Sequence, residues 1–133
     1  MRRARGAAPA FALATLAAWA APPAGAADDA LVAFLARFRP AVRAGDAEAV
    51  ADLTQLPFLF EGEPRDRDGF VRLVFPSLFD APVRACLAEA EPIAEDGRWV
   101  AWCGAYGFYF GRAGASVRLL EFAADGEAEA DAP

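Results

Sequence analysis

The sequence predicts an α+β domain, with N-terminal helices packed on a curved antiparallel sheet and one disulfide. Three observations carry that prediction. Between Asp28 and Phe79 most large apolar residues recur three and four apart, the spacing of a helix with one covered face. From Ala81 onward the period shortens to two, the repeat of a half-buried strand. The chain has only two cysteines, Cys86 and Cys103, and both fall in this second half.

The first 26 residues read as a leader rather than as part of the domain. Arg2, Arg3 and Arg5 form a positive start, and an apolar run follows from about Ala7 to Ala21. Pro22 and Pro23 break the run, and Ala24-Gly25-Ala26 supplies the small-x-small pattern that a signal peptidase cuts. The run is shorter than the ~20 residues of a membrane span, and no cysteine follows it to carry a lipid. The expectation is a Sec-type signal peptide over residues 1–26, cut after Ala26 or one residue later. It implies a periplasmic or secreted protein with no stable membrane anchor after cleavage. The domain then covers 27–123, and 124–133, made of Ala, Asp, Glu, Gly and Pro, is expected to be a disordered acidic tail.

Beyond the leader the chain carries ten arginines against nineteen acidic residues, a net charge of −9. A surface of that sign repels nucleic acid and anionic lipid headgroups. Histidine and lysine are both absent, which removes Ser-His and Cys-His nucleophile pairs, imidazole zinc sites and Schiff-base chemistry. The sequence implies no cofactor and no metal.

The elements follow in order. Asp28-Asp29 offers a cap for a first helix with Leu31, Phe34, Leu35, Phe38 and Val42 on one stripe. Gly45 ends that helix, and Asp46 caps a shorter one to about Thr54, with Val50 and Leu53 turned inward. Pro57 to Phe60 is a short strand, and Glu61 to Asp68 a solvated charged loop. Its acids lack the spacing of a calcium loop and sit among Arg65 and Arg67. Asp66 or Asp68 starts a third helix bearing Phe70, Val71, Val74, Phe75, Leu78 and Phe79, which Pro76 should kink or end. Strands are expected at about Val83–Glu91, at Arg98–Phe110 with a bend near Gly104 or Gly107, and at Ser116–Ala123. The turns between them are Glu95-Asp96-Gly97 and Gly111–Gly114.

One register of the first of these hairpins is self-consistent. Setting Glu91 opposite Arg98 puts Cys86 opposite Cys103, Leu87 opposite Trp102 and Val83 opposite Tyr106. Opposed cysteines in an oxidising compartment form a disulfide, so Cys86–Cys103 is expected as a structural staple. A redox role would call for the C-x-x-C spacing that is missing.

Arg98–Phe110 also suggests a pocket. Taken as one strand, it carries Val100, Trp102, Tyr106, Phe108 and Phe110 on one face, with Gly104 as the gap in that wall. Plain core packing accounts for such a stripe, but the gap leaves room for a ligand lined by Trp102, Gly104, Tyr106 and Phe108. Pairing Phe110 with Ala115 in the last hairpin sets Glu121 opposite Gly104, and the register of the first hairpin sets Glu89 opposite Val100, on the same covered side. A carboxylate desolvated there would have its pKa raised toward that of a general base. A one-residue slip turns Glu121 to solvent instead.

The segment Arg43-Ala-Gly-Asp-Ala-Glu-Ala-Val-Ala-Asp-Leu53, the run Leu56-Pro-Phe-Leu-Phe60 and the strand Gly104-Ala-Tyr-Gly-Phe-Tyr-Phe110 occur in an order that resembles the NTF2-like superfamily. The resemblance runs along the whole mature domain and implies a cystatin-like α+β cone. That superfamily holds ketosteroid isomerase and polyketide cyclases as well as binding and dimerisation modules. Its enzymes commonly place an acid, a Tyr or a His inside the cone. This chain has no His and matches none of those catalytic signatures residue by residue, so Glu89, Tyr106 and Glu121 are candidates by register alone. The first expectation is a non-enzymatic exported domain that binds a small apolar ligand or a protein partner, including a second copy through an exposed sheet face. The alternatives are an isomerase or cyclase with a buried Glu as proton shuttle and Tyr106 as oxyanion donor, and an acidic inhibitor or immunity-type protein that meets a cationic enzyme.

Overall fold

The computed structural model describes residues 26–124, so the expected leader up to Gly25 and the expected tail beyond Ala124 lie outside the described residues. Within them the chain folds as α+β. Helix α1 (Ala26–Ala44) lays Leu31, Phe34, Leu35, Phe38 and Val42 into the core, the stripe its spacing predicts. The chain is already helical at Ala26, so Asp28 and Asp29 stand within the helix rather than at its cap. At its other end the Gly45 N–H bonds the Val42 carbonyl and the Asp46 N–H bonds the Ala41 carbonyl, a Schellman closure with Gly45 at positive φ. Asp46 then caps α2 (Ala47–Asp52), its Oδ1 accepting from the Ala49 N–H at 3.0 Å.

The short strand is β1 (Phe58–Phe60), but the expected loop after it folds back as β2 (Glu63–Arg65) around a Glu61-Gly62 turn. Asp66 caps the third helical segment, which runs as α3 (Arg67–Gly69), a π-helical turn (Phe70–Val74) and α4 (Phe75–Leu78). Pro76 explains the irregularity, because its ring removes one backbone donor and crowds the preceding turn. The chain widens just before it, the Phe75 N–H reaching back to the Phe70 carbonyl.

The expected strand over Val83–Glu91 is instead helix α5 (Ala81–Leu87). Asp80 caps it, accepting from the Val83 N–H at 3.0 Å, and Pro82 sits in its first turn. Val83 and Leu87, four apart, are buried, while Ala85, which a strand would have placed beside them, is exposed. Arg39 and Arg43 of α1 fasten the connection that follows: Arg39 donates to the Ala90 carbonyl at 2.7 Å and Arg43 to that of Ala88 at 3.2 Å.

The sheet is a four-stranded antiparallel meander, β3 (Ile93–Glu95), β4 (Arg98–Cys103), β5 (Tyr106–Ala113) and β6 (Ser116–Ala124). Arg98–Phe110 is therefore a hairpin rather than one bent strand. Cys103 pairs with Tyr106 across a two-residue turn whose first member, Gly104, has φ +64°, the left-handed conformation a type II′ turn requires there. The reversal exchanges parity between the two halves. Trp99, Ala101 and Cys103 share the helix-facing side with Phe108 and Phe110, while Val100 and Trp102 point to the other side.

The disulfide is Cys86–Cys103, as expected, with a different geometry behind it. It joins α5 to β4 across a Cα–Cα distance of 5.7 Å and does not bridge paired strands. Arg98 pairs in the ladder with Glu95, not Glu91. In the last hairpin Phe110 faces Leu119 and Tyr109 faces Glu121, with Leu120 left over as a bulge between them. At Leu119 the outer edge of β6 is closed by the Leu53–Gln55 segment, through hydrogen bonds of 2.8 and 2.9 Å.

Candidate functional site

The space expected to hold a ligand is filled with rings. Phe34 and Phe38 of α1 each meet Phe110 at 5.3 Å between centroids. Phe79 covers Phe108 at 5.4 Å, Phe70 joins Phe79 to Phe58, and Phe58 stacks on Phe122. The four expected pocket residues are not brought together. Phe108 is wholly buried in this stack, and Tyr106 is half-buried at its end, 5.8 Å from Phe122. Gly104 is an exposed turn residue, and Trp102 lies on the opposite side of the sheet.

The expected carboxylates are also elsewhere. Glu121 faces Tyr109 rather than Gly104, and its exposed carboxylate is ion-paired with Arg98. Glu89 lies just beyond α5, exposed and 3.4 Å from Arg43. Neither is desolvated and neither is beside Tyr106, so the trio that would shuttle a proton does not assemble. The acids of the β1–β2 region are engaged as well: Glu61 and Glu63 flank Arg65, Asp66 caps α3 and Asp68 meets Arg72.

What the fold does present is the outer side of the sheet. Ile93 is 64% exposed and Trp102 47%, and between them lies buried Val100, opposite Ile93 and Tyr109 in the ladder. The Trp102 ring lies flat on Gly107, where an added Cβ would stand 2.9 Å from it. Only a residue without a side chain permits that contact. Leu120, turned outward by the bulge, covers Gly111 in the same way at 2.8 Å. The Arg98 guanidinium sits 4.4 Å over the Tyr109 ring and bonds Glu121. Burial, then the Glu95 carboxylate, hold the Tyr109 phenol above its usual pKa, with Arg98 working against them. The face thus joins apolar side chains with three charged groups, the paired Arg98 and Glu121 and, opposite Arg98 in the ladder, Glu95. Gly107 and Gly111, four apart in an otherwise aromatic strand, are its trace in the sequence.

Comparison with protein-family models, with curated proteins and with solved structures finds no match. Among the described residues no helix is long and apolar enough to cross a membrane.

Proposed function

We propose that this chain is an exported, non-enzymatic binding domain of NTF2-like type, and that it works as a pair of copies joined through the outer face of its sheet. The observation that carries the reading is the exposed pair Ile93 and Trp102, set around buried Val100 and flanked by half-buried Tyr109 and Leu120. Large apolar side chains left together on one face mark a contact surface. The charges on this face favour a second copy as occupant. Arg98 and Glu121 neutralise each other, which leaves Glu95 as the one further acid beside Tyr109, so the same patch can meet itself with little repulsion. A cationic enzyme would be drawn to uncompensated acids instead.

The enzyme alternative loses its support with Glu121 and Glu89 exposed and arginine-paired. The resemblance in sequence order and the α+β arrangement support the superfamily assignment, and the leader pattern and the disulfide support export.

Strands ~4.8 Å apart, rising ~3.3 Å per residue, make this face roughly 20 by 25 Å. That is small beside the ~800 Å² per partner of a standard interface, so the pair should be weak and concentration-dependent. Sedimentation velocity of the oxidised mature protein from micromolar to millimolar concentration tests it. Association should appear in the wild type and vanish in Trp102→Glu and in Ile93→Glu, with far-UV circular dichroism unchanged. A wild type that stays monomeric throughout, or an association that both substitutions leave intact, would overturn the proposal.

A further inference from the structure

The arginines separate into those that meet a carboxylate and those that do not. Arg39, Arg43, Arg65, Arg67, Arg72 and Arg98 each meet a carboxylate, and Arg84 donates to the Phe79 carbonyl at 2.8 Å. Arg37, Arg84, Arg112 and Arg118 have no carboxylate partner among the described residues, and Arg118, like Arg84, donates to a backbone carbonyl. Two of these four, Arg37 and Arg118, line one recess of about 190 Å³ between α1, the end of α2 and the start of β6. In a chain with this acidic balance, two cations without a carboxylate partner among the described residues meet at one hollow.

The rest of the lining narrows what would answer them. Phe34, Leu53 and Val117, all buried, with Ala30 and Ala33 give the hollow an apolar floor. Asp52 also lines it, but its carboxylate is held by Arg67 at 2.7 Å. That bond and the one to Glu48 raise the Arg67 pKa, so Arg67 holds the Asp52 carboxylate while sharing its charge between two acids. Arg118 spends one N–H on the Asp52 carbonyl, at 2.9 Å, which orients its guanidinium and leaves other donors free. The contrast with the recess beside Arg39 and Arg43 is instructive, because Glu91 and Glu89 compensate both arginines there.

We infer that the recess between α1 and β6 binds a small organic carboxylate, with Arg37 and Arg118 holding the carboxylate and the Phe34–Leu53–Val117 floor taking its apolar part. A planar guanidinium matches a carboxylate with two parallel hydrogen bonds. Inorganic phosphate would gain nothing from the floor. The volume sets the size: a cavity of about 150 Å³ accepts benzene, so a hollow of about 190 Å³ suits one ring or short branched chain plus the carboxylate. This site lies at the β6 edge of the sheet, and the inference does not rest on the pairing proposed for the outer face.

The test uses the oxidised mature protein and benzoate as probe, followed by methyl NMR of Ala30, Ala33 and Val117. Benzoate should shift these signals saturably in the high-micromolar to millimolar range. Benzamide, the same ring without the charge, should bind roughly 10-fold more weakly or worse, the worth of a charged hydrogen bond. Arg37→Gln should weaken benzoate by a similar factor without disturbing the fold, since Arg37 is exposed and bonds no described residue. Arg118→Gln should do the same. Equal binding of benzoate and benzamide, binding unaffected by both substitutions, or no saturable shift at these methyls would each overturn the inference.

Discussion

Replacing Cys86 and Cys103 together by alanine removes the only covalent tie between the helical layer and the sheet. The bond spans a sequence separation of 17, enclosing β3, β4 and the turn between them. On the chain-entropy account a loop of that length constrains the unfolded chain by about 3 kcal/mol. Cys103 is wholly buried, so the lost sulfur adds a small packing cost in the same direction. A domain of this size has a stability of roughly 5–15 kcal/mol, so the double variant should fold with a substantial part of it gone. At ~4–8 °C per kcal/mol the midpoint should fall by about 12–25 °C. Urea unfolding read by tryptophan fluorescence is the direct assay, because only Trp99 and Trp102 remain after the leader. The urea slope should rise too, since the uncrosslinked unfolded chain exposes more surface. A loss below about 1 kcal/mol with an unchanged slope would refute the reasoning: the crosslink would then not be what limits the unfolded ensemble.

Three further outcomes follow from the outer face. Gly107→Ala forces the Trp102 ring off the strand, because the new Cβ would lie 2.9 Å from it. The expected cost is roughly 1 kcal/mol, with Trp102 emission shifted to the red in the folded protein. Glu121→Gln removes a half-exposed ion pair with Arg98 and should cost under about 1 kcal/mol in thermal melts. A severe loss of stability would mean that Glu121 is far more tightly held than its exposure allows. The Tyr109 phenol should ionise above the usual value near 10, by phenolate absorbance, chiefly because burial disfavours its anion. The folded state therefore holds that proton more tightly than the unfolded chain does. The resulting stability is complete below about pH 10 and is lost as pH rises through the folded value. Arg98→Met should raise that value further, since the cation opposes the shift.

Much of the helical half was legible because its rules are local. The α1 stripe, the Gly45 closure, the caps of Asp46 and Asp66 and the disturbance at Pro76 all depend on residues within a turn or two of each other. Helix α5 was legible by the same rule, through Asp80 and Pro82, but the alternation of Val83, Ala85 and Leu87 imitates a strand over so short a stretch. The cysteine pairing came out correctly because two cysteines allow only one disulfide. The register offered for it did not survive, since a helix and a strand can bring the same two atoms together.

The site was less legible for a different reason. Which face of β4 and β5 is covered depends on one two-residue turn at Gly104, and that reversal moved Trp102 from the expected pocket to the outer face. The bulge at Leu120 then set Glu121 opposite Tyr109, although strand parity alone cannot say where an extra residue will be absorbed. The recess at Arg37 and Arg118 joins residues about eighty positions apart, with no spacing to announce it. By itself, then, the sequence determined the class of fold, the helical core face, the disulfide partners and the surplus of acid, because these follow from composition and from contacts within a few residues. Only the tertiary structure decided which aromatics fill the interior, which face stays open and which arginines go unanswered, because those depend on register and on long-range packing that a single-residue shift reverses.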